Sequence, residues 1–165
     1  MMTRRWISAV AKCCAAVWLC GVVACGTDRS EWGEMTRISG ASWHVNEPVW
    51  IALPVTDSLS AHSLSVHVRH NSAYRYANMW VFVSAYTPDG VLWRKDTIDL
   101  ALASADGRWL GKGWGDLYAA EAPVGGGRTV FPVCGTWRFS VEQGMRETSL
   151  RGVHDVGLRM VKIRP

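Results

Sequence analysis

Leu64-Ser65-Val66-His67-Val68-Arg69 decides the fold. Apolar and polar residues alternate with a period of two, which is the pattern of a strand with one face buried. The same beat returns in Trp137-Arg138-Phe139-Ser140-Val141-Glu142 and in Val156-Gly157-Leu158-Arg159-Met160. Met79 to Tyr86 is apolar on nearly every position, which predicts a central strand covered on both faces. Turn chemistry separates these runs at Pro88-Asp89-Gly90, Asp106-Gly107 and Gly125-Gly126-Gly127. Beyond the first 25 residues no window sustains a helical period; a short turn or helix is expected only around Glu142 to Thr148. Many short strands with turn punctuation predict an all-β fold, a single antiparallel β-sandwich of jelly-roll or immunoglobulin-like kind, over residues 39–165.

Working outward, the 165 residues are 48% hydrophobic and 19% charged, which excludes a disordered tail and an all-apolar membrane bundle. The formal net charge of +4 rests on the N-terminal stretch: Arg4, Arg5 and Lys12 are unopposed by any acid within residues 1–24. Removing them from the 18 basic residues leaves 15 against 14 acidic ones, so the body offers no basic surface for nucleic acid. Cysteine is equally lopsided. Cys13, Cys14, Cys20 and Cys25 precede the body, and Cys134 stands alone within it, so no disulfide framework can form.

After the basic lead, Cys13 to Ala24 runs twelve residues without a charge. As a helix that run would span ~18 Å against a hydrocarbon core of ~30 Å, too short to anchor by crossing. A basic start, a short apolar run and small residues at its end describe an export signal over residues 1–24. Val22-Val23-Ala24-Cys25 resembles the bacterial lipobox, in which a thiol is alkylated by a diacylglyceryl group before cleavage frees its amine for a further acyl chain. The expectation is therefore a lipid-anchored N-terminus at Cys25, followed by a flexible tether to residue 38 that holds the domain off the bilayer. With Cys25 capped, Cys134 has no partner within the chain and is expected to be a buried small hydrophobe.

A search for reaction chemistry returns little. There is no Gly-x-Ser-x-Gly elbow, and no carboxylate pair has the spacing of a glycosidase. Of the five histidines, His67 and His70 lie three apart on one strand, on opposite faces, and cannot share a metal ion; no metal or other cofactor is expected beyond the acyl groups. Gly111-Lys112-Gly113-Trp114-Gly115-Asp116 fails as a phosphate cradle on spacing and on the residue after lysine. As a strand it puts Trp109, Gly111, Gly113 and Gly115 on one face, predicting a bulge, a close backbone or a ring across the gap, with Lys112, Trp114 and Asp116 facing the other way. Eight tryptophans follow Cys25, too many for one small core, so some are expected on the surface as rings that bind a protein or stack on sugars.

Asn71 through Val83, Trp109-Leu-Gly-Lys-Gly-Trp-Gly-Asp-Leu-Tyr118, Glu142-Gln-Gly-Met-Arg146, Asp155-Val-Gly-Leu-Arg159 and Pro54-Val-Thr-Asp57 resemble, in this order, the GldH family of gliding-motility lipoproteins of Bacteroidetes. The resemblance covers residues 43–162 and departs from the family's pattern at Gly144, where alanine is more usual, and around His62-Ser63, where the family tends to carry Tyr-Asn. It implies an acylated cell-envelope protein of the outer membrane, without catalytic activity, accessory to the gliding and type IX secretion machinery through contacts with other envelope proteins. Trp109, Lys112, Trp114, Asp116 and Arg146 are the candidate binding surface. The alternative is a lipoprotein that binds carbohydrate or peptidoglycan through exposed tryptophans. The first predicts a contiguous aromatic patch on the sandwich, the second rings side by side in a groove with polar neighbours.

Overall fold

A computed structural model describes residues 31–164. The export signal, Cys25 and the first part of the expected tether lie outside the described residues. The strands are β1 (Glu31–Arg37), β2 (Ser42–His44), β3 (Val49–Val55), β4 (Ala61–Asn71), β5 (Asn78–Tyr86) and β6 (Leu92–Ala101). They continue as β7 (Lys112–Trp114), β8 (Leu117–Pro123), β9 (Thr129–Val130), β10 (Gly135–Gln143), β11 (Ser149–Arg151) and β12 (Val153–Lys162). All pairings are antiparallel. One sheet runs β1-β12-β4-β8-β7 with β9 also on β4; the other runs β3-β10-β5-β6, and β2 pairs with β11. This is the all-β sandwich that the two-residue beat predicts.

The core is built from the apolar beats. Leu64, Val66 and Val68 of β4 and Val156, Leu158 and Met160 of β12 face Ile51, Leu53, Trp137, Phe139 and Val141 from the other sheet, all buried. Each such side chain contributes ~1.5–3 kcal/mol relative to exposure. Among the described residues, the two tryptophans in full burial keep their N–H groups satisfied, Trp137 Nε1 donating to the Val133 carbonyl at 3.0 Å and Trp43 Nε1 to that of Glu47 at 2.9 Å. Glu142 to Thr148 forms a turn: Gln143 holds the Met145 N–H at 2.8 Å and donates to the Glu147 carbonyl at 2.7 Å.

Register defines the two ends of the sandwich. β1 begins where β12 finishes (Glu31 opposite Val161), and β4 begins there too (Lys162 opposite His62). The same end holds the start of β10, the end of β3 and the end of β5 (Gly135 opposite Val55, Arg138 opposite Tyr86). Asp57 ties the β3–β4 loop to this end. Its carboxylate accepts from Lys162 Nζ at 2.6 Å, from the Ser60 hydroxyl at 2.7 Å and from the backbone N–H of Leu59 at 2.9 Å. Those bonds, the Lys162 bond first, hold its pKa well below the usual carboxylate range.

Three expectations change. Residues 31–37, assigned to the tether, are strand β1, so they are part of the sandwich. They pair with β12 along their whole length, and Gly157 makes room for them: a Cβ there would lie 2.2 Å from the Glu34 carbonyl oxygen. Cys134 is exposed and not buried, because it sits in the turn before β10, where Trp137 fills the core. β5 is fully covered on its inner face only: Met79, Val81, Val83 and Ala85 are buried there, while on the outer face Trp80 is 40% exposed, Phe82 and Tyr86 are half-buried and only Ser84 is buried.

Gly157→Ala is expected to push β1 off β12. The clash falls on backbone, so the cost should be about 1–3 kcal/mol, with amide exchange rising at residues 33–37 and little changed in β4 and β10. Unchanged protection of β1 would contradict the packing described.

Candidate functional site

The structure distributes the five candidate residues over different surroundings. Lys112 and Trp114 occupy β7 at the edge of the larger sheet, opposite Ala119 and Leu117. Asp116 is exposed in the β7–β8 turn beside Gly115, whose φ of +67° suits glycine. The expected close approach is present: a Cβ on Gly111 would lie 2.4 Å from the Ala119 carbonyl oxygen, and one on Gly113 2.4 Å from that of Leu117. The glycine run therefore admits the backbone of β8. Trp109 is half-buried beneath the hairpin, its ring 4.6 Å from that of His70 and 5.7 Å from that of Tyr118, and packs against the core. Arg146 is exposed elsewhere, on the β10–β11 turn beside the outer face of the four-stranded sheet.

That outer face is the feature the sequence left unread. Among the described residues, the exposed tryptophans are Trp50 on β3, at 53%, and Trp80 on β5. Tyr86 and Phe82 lie between and beside them on the same face, half-buried. Trp50 meets Tyr86 with ring centroids 5.5 Å apart, and Lys95 Nζ stands 5.0 Å over the Phe82 ring while reaching Glu142 at 3.7 Å. Below Trp80 a depression of about 570 Å³ is lined by Tyr76, Asn78, Phe82, Met145 and Arg146. The absent side chain of Gly144 shapes it, since a Cβ there would stand 3.0 Å from the Phe82 ring. Register separates the two tryptophans by two strand spacings and four residues (Trp50 opposite Ser140, Ser140 opposite Ser84), roughly 17 Å along a sheet face. The rings form a diagonal stripe and do not stand side by side. A signal existed in the sequence: Trp50 and Trp80 fall on the beat where an outward strand position is usually polar.

A second depression, of about 580 Å³, lies between the β4–β5 loop and β11 and is lined by Tyr74, Arg75, Tyr76, Glu147 and Arg151. The Tyr76 hydroxyl donates to the Glu147 carboxylate, which raises the phenol's pKa. His67 and His70 point to opposite faces, as expected; His67 Nε2 lies 3.2 Å from Glu121, while His70 is enclosed by the rings of Tyr74, Trp109 and Tyr118. Among the described residues no three His, Cys, Asp or Glu side chains converge as metal ligands.

The comparisons with known proteins agree with one another. The profile described as GldH lipoprotein matches residues 32–160. The gliding motility lipoprotein GldH of Flavobacterium johnsoniae is 29% identical over 128 residues, covering 73% of this chain and 78% of its own. The GldH homolog of Christiangramia forsetii is 30% identical over 128 residues, covering 73% and 77%. Among solved structures, the infectious bursal disease virus VP2 subviral particle overlaps 81% of this chain and 33% of its own at 14% identity, with a TM-score of 0.37, too low to carry weight.

Burial lowers the pKa of His62, His67 and His70 below the usual 6.5. The unfolded chain then binds more protons than the folded one below that value, so stability is full above pH 6.5 and falls as pH drops through it toward the folded-state values. Urea titrations from about pH 7.5 to about pH 5.5 should show the unfolding midpoint falling, with a shallower fall in His70→Phe. An unchanged slope in that variant would contradict the burial of a neutral His70.

Proposed function

The chain belongs to the GldH lipoprotein family, and from that membership we propose a lipid-anchored component of the cell envelope that serves gliding motility by holding other envelope proteins. In this reading Cys25 carries the diacylglyceryl and N-acyl groups, the membrane is the outer membrane, and the partners belong to the gliding and type IX secretion apparatus. The domain performs no reaction. Its work is to present a surface.

The observation that supports this reading is the stripe of Trp50, Tyr86, Phe82 and Trp80 on the open face of the four-stranded sheet. Large rings left half in water on a flat sheet are the composition of a protein-binding centre, rimmed here by Lys95, Glu142 and Arg146. The spacing of Trp50 and Trp80 is less suited to a sugar platform, which wants neighbouring rings in a groove. Asp116 and the β7–β8 hairpin stand at the edge of the other sheet and would form a separate contact.

Replacing Trp50 and Trp80 with alanine should leave the fold intact, because both side chains are exposed, and should abolish most docking. Photo-crosslinking from residue 80 in intact envelopes is expected to trap a discrete protein partner, and the Trp50→Ala variant should reduce the adduct several-fold. Cells carrying both alanines should spread less on a surface and export less type IX cargo. Adducts to glycan in place of protein would favour the carbohydrate reading; normal spreading with both alanines would overturn the docking face.

A further inference from the structure

The end of the sandwich where β1 begins differs in surface chemistry from the opposite end. Leu59 in the β3–β4 loop is 93% exposed. Val91 and Leu92 at the β5–β6 turn and Val130 and Val133 around β9 are each about half exposed. These five are half of the ten large apolar side chains exposed among the described residues, and the topology gathers them onto one end. Two contacts hold the loops there together: a Cβ on Gly135 would touch Pro88, joining the β9–β10 turn to the β5–β6 turn, and Asp57 is clasped by Lys162. The Asp57 carboxylate is thus neutralised, and the exposed charges that accompany the apolar tips at this end are Asp89, Arg128 and Arg138, two of the three basic. The opposite end exposes Glu47, Arg75, Asp116, Arg146 and Arg151 around its loops.

The chain outside the structure says what covers the apolar end. Five residues separate Cys25 from Glu31, and even fully extended they reach about 20 Å. β4, with 11 residues, sets the height of the sandwich at roughly 35 Å. An acyl group at residue 25 therefore brings the β1 end close to the lipid and leaves the opposite end in water. Exposed apolar loop tips beside a short lipid leash match the requirement for interfacial binding, in which a modest apolar area enters the headgroup boundary.

We propose that this end of the domain rests on the bilayer that holds the anchor, with Leu59, Val91, Val130 and Val133 set into the lipid interface. The inference rests on the reading that Cys25 is acylated. It replaces the idea of a domain held off the membrane by a long tether. It also fixes the aromatic stripe on the flank of the sandwich, facing along the membrane plane toward neighbours.

Cys134 supplies the probe, because it is exposed at this end and is the one thiol left when Cys25 is capped and the leader removed. The mature acylated protein, labelled at Cys134 with an environment-sensitive fluorophore, is reconstituted in phosphatidylethanolamine vesicles with a minority of phosphatidylglycerol and a doxyl-labelled lipid. Cys134→Ser with Ser72→Cys carries the label at the far end. The Cys134 label should be blue-shifted and quenched several-fold more than the Ser72→Cys label. Leu59→Asp with Val133→Asp should reduce its quenching to the far-end level with an unchanged circular dichroism spectrum. Protein that floats with the vesicles while both labels stay in water would overturn the inference and leave the anchor standing. A blue-shifted but unquenched Cys134 label would mean that protein covers this end, and would overturn it too. Failure to float, with unmodified Cys25, would end both readings.

Discussion

The pairing of β1 with β12 is the constraint on which the rest depends. Seven residues in continuous register add the outer strand of the larger sheet and determine where the N-terminal segment joins the domain. β1 is the outer strand on that side of the sheet, seven residues long and with Glu34 and Arg37 along it, so the sheet keeps an edge there but a short and charged one. The same pairing sets the end of the sandwich at which the N-terminal segment joins. The leash enters at the end that carries Leu59, Val130 and Val133, and the opposite end points away. The open face of the smaller sheet, with Trp50 and Trp80, then lies along the flank.

How much of this was legible in the sequence follows from how local each signal is. β4, β10 and β12 bury one face each, so their alternation declared them, and Leu64, Phe139 and Leu158 are core as their beat requires. The glycine run before Asp116 was legible as a close backbone approach because absent side chains mean an absent volume. β1 was not legible. Its residues Gly33, Glu34 and Met35 are all exposed, and its partner is more than a hundred residues away, so neither periodicity nor a nearby turn marks it.

The candidate site was half legible for a related reason. A strand that is apolar on both beats reads as doubly buried, and the sequence cannot say whether the second cover belongs to the same chain or to another. β5 is such a strand: Met79 and Val81 face the core while Trp80 and Phe82 face outward. Trp109, placed by the sequence on the face of the missing side chains, is half-buried with its ring over His70. Cys134 stayed outside because a tight turn placed Trp137, three residues later, in the core position. Arg146 does border the aromatic face, through a turn that Gln143 holds by side-chain bonds to backbone.

An oriented body and an open aromatic flank together describe a protein that positions neighbours at a membrane, and both lose their meaning if the chain is not held there. Intact-mass and fragment analysis of the N-terminal peptide, taken from the protein in its native envelope, tests this most directly. The mature chain should start at Cys25 bearing thioether-linked diacylglycerol and an amide-linked acyl chain. A free thiol at residue 25, or a mature terminus elsewhere, would rule out a domain anchored in this way.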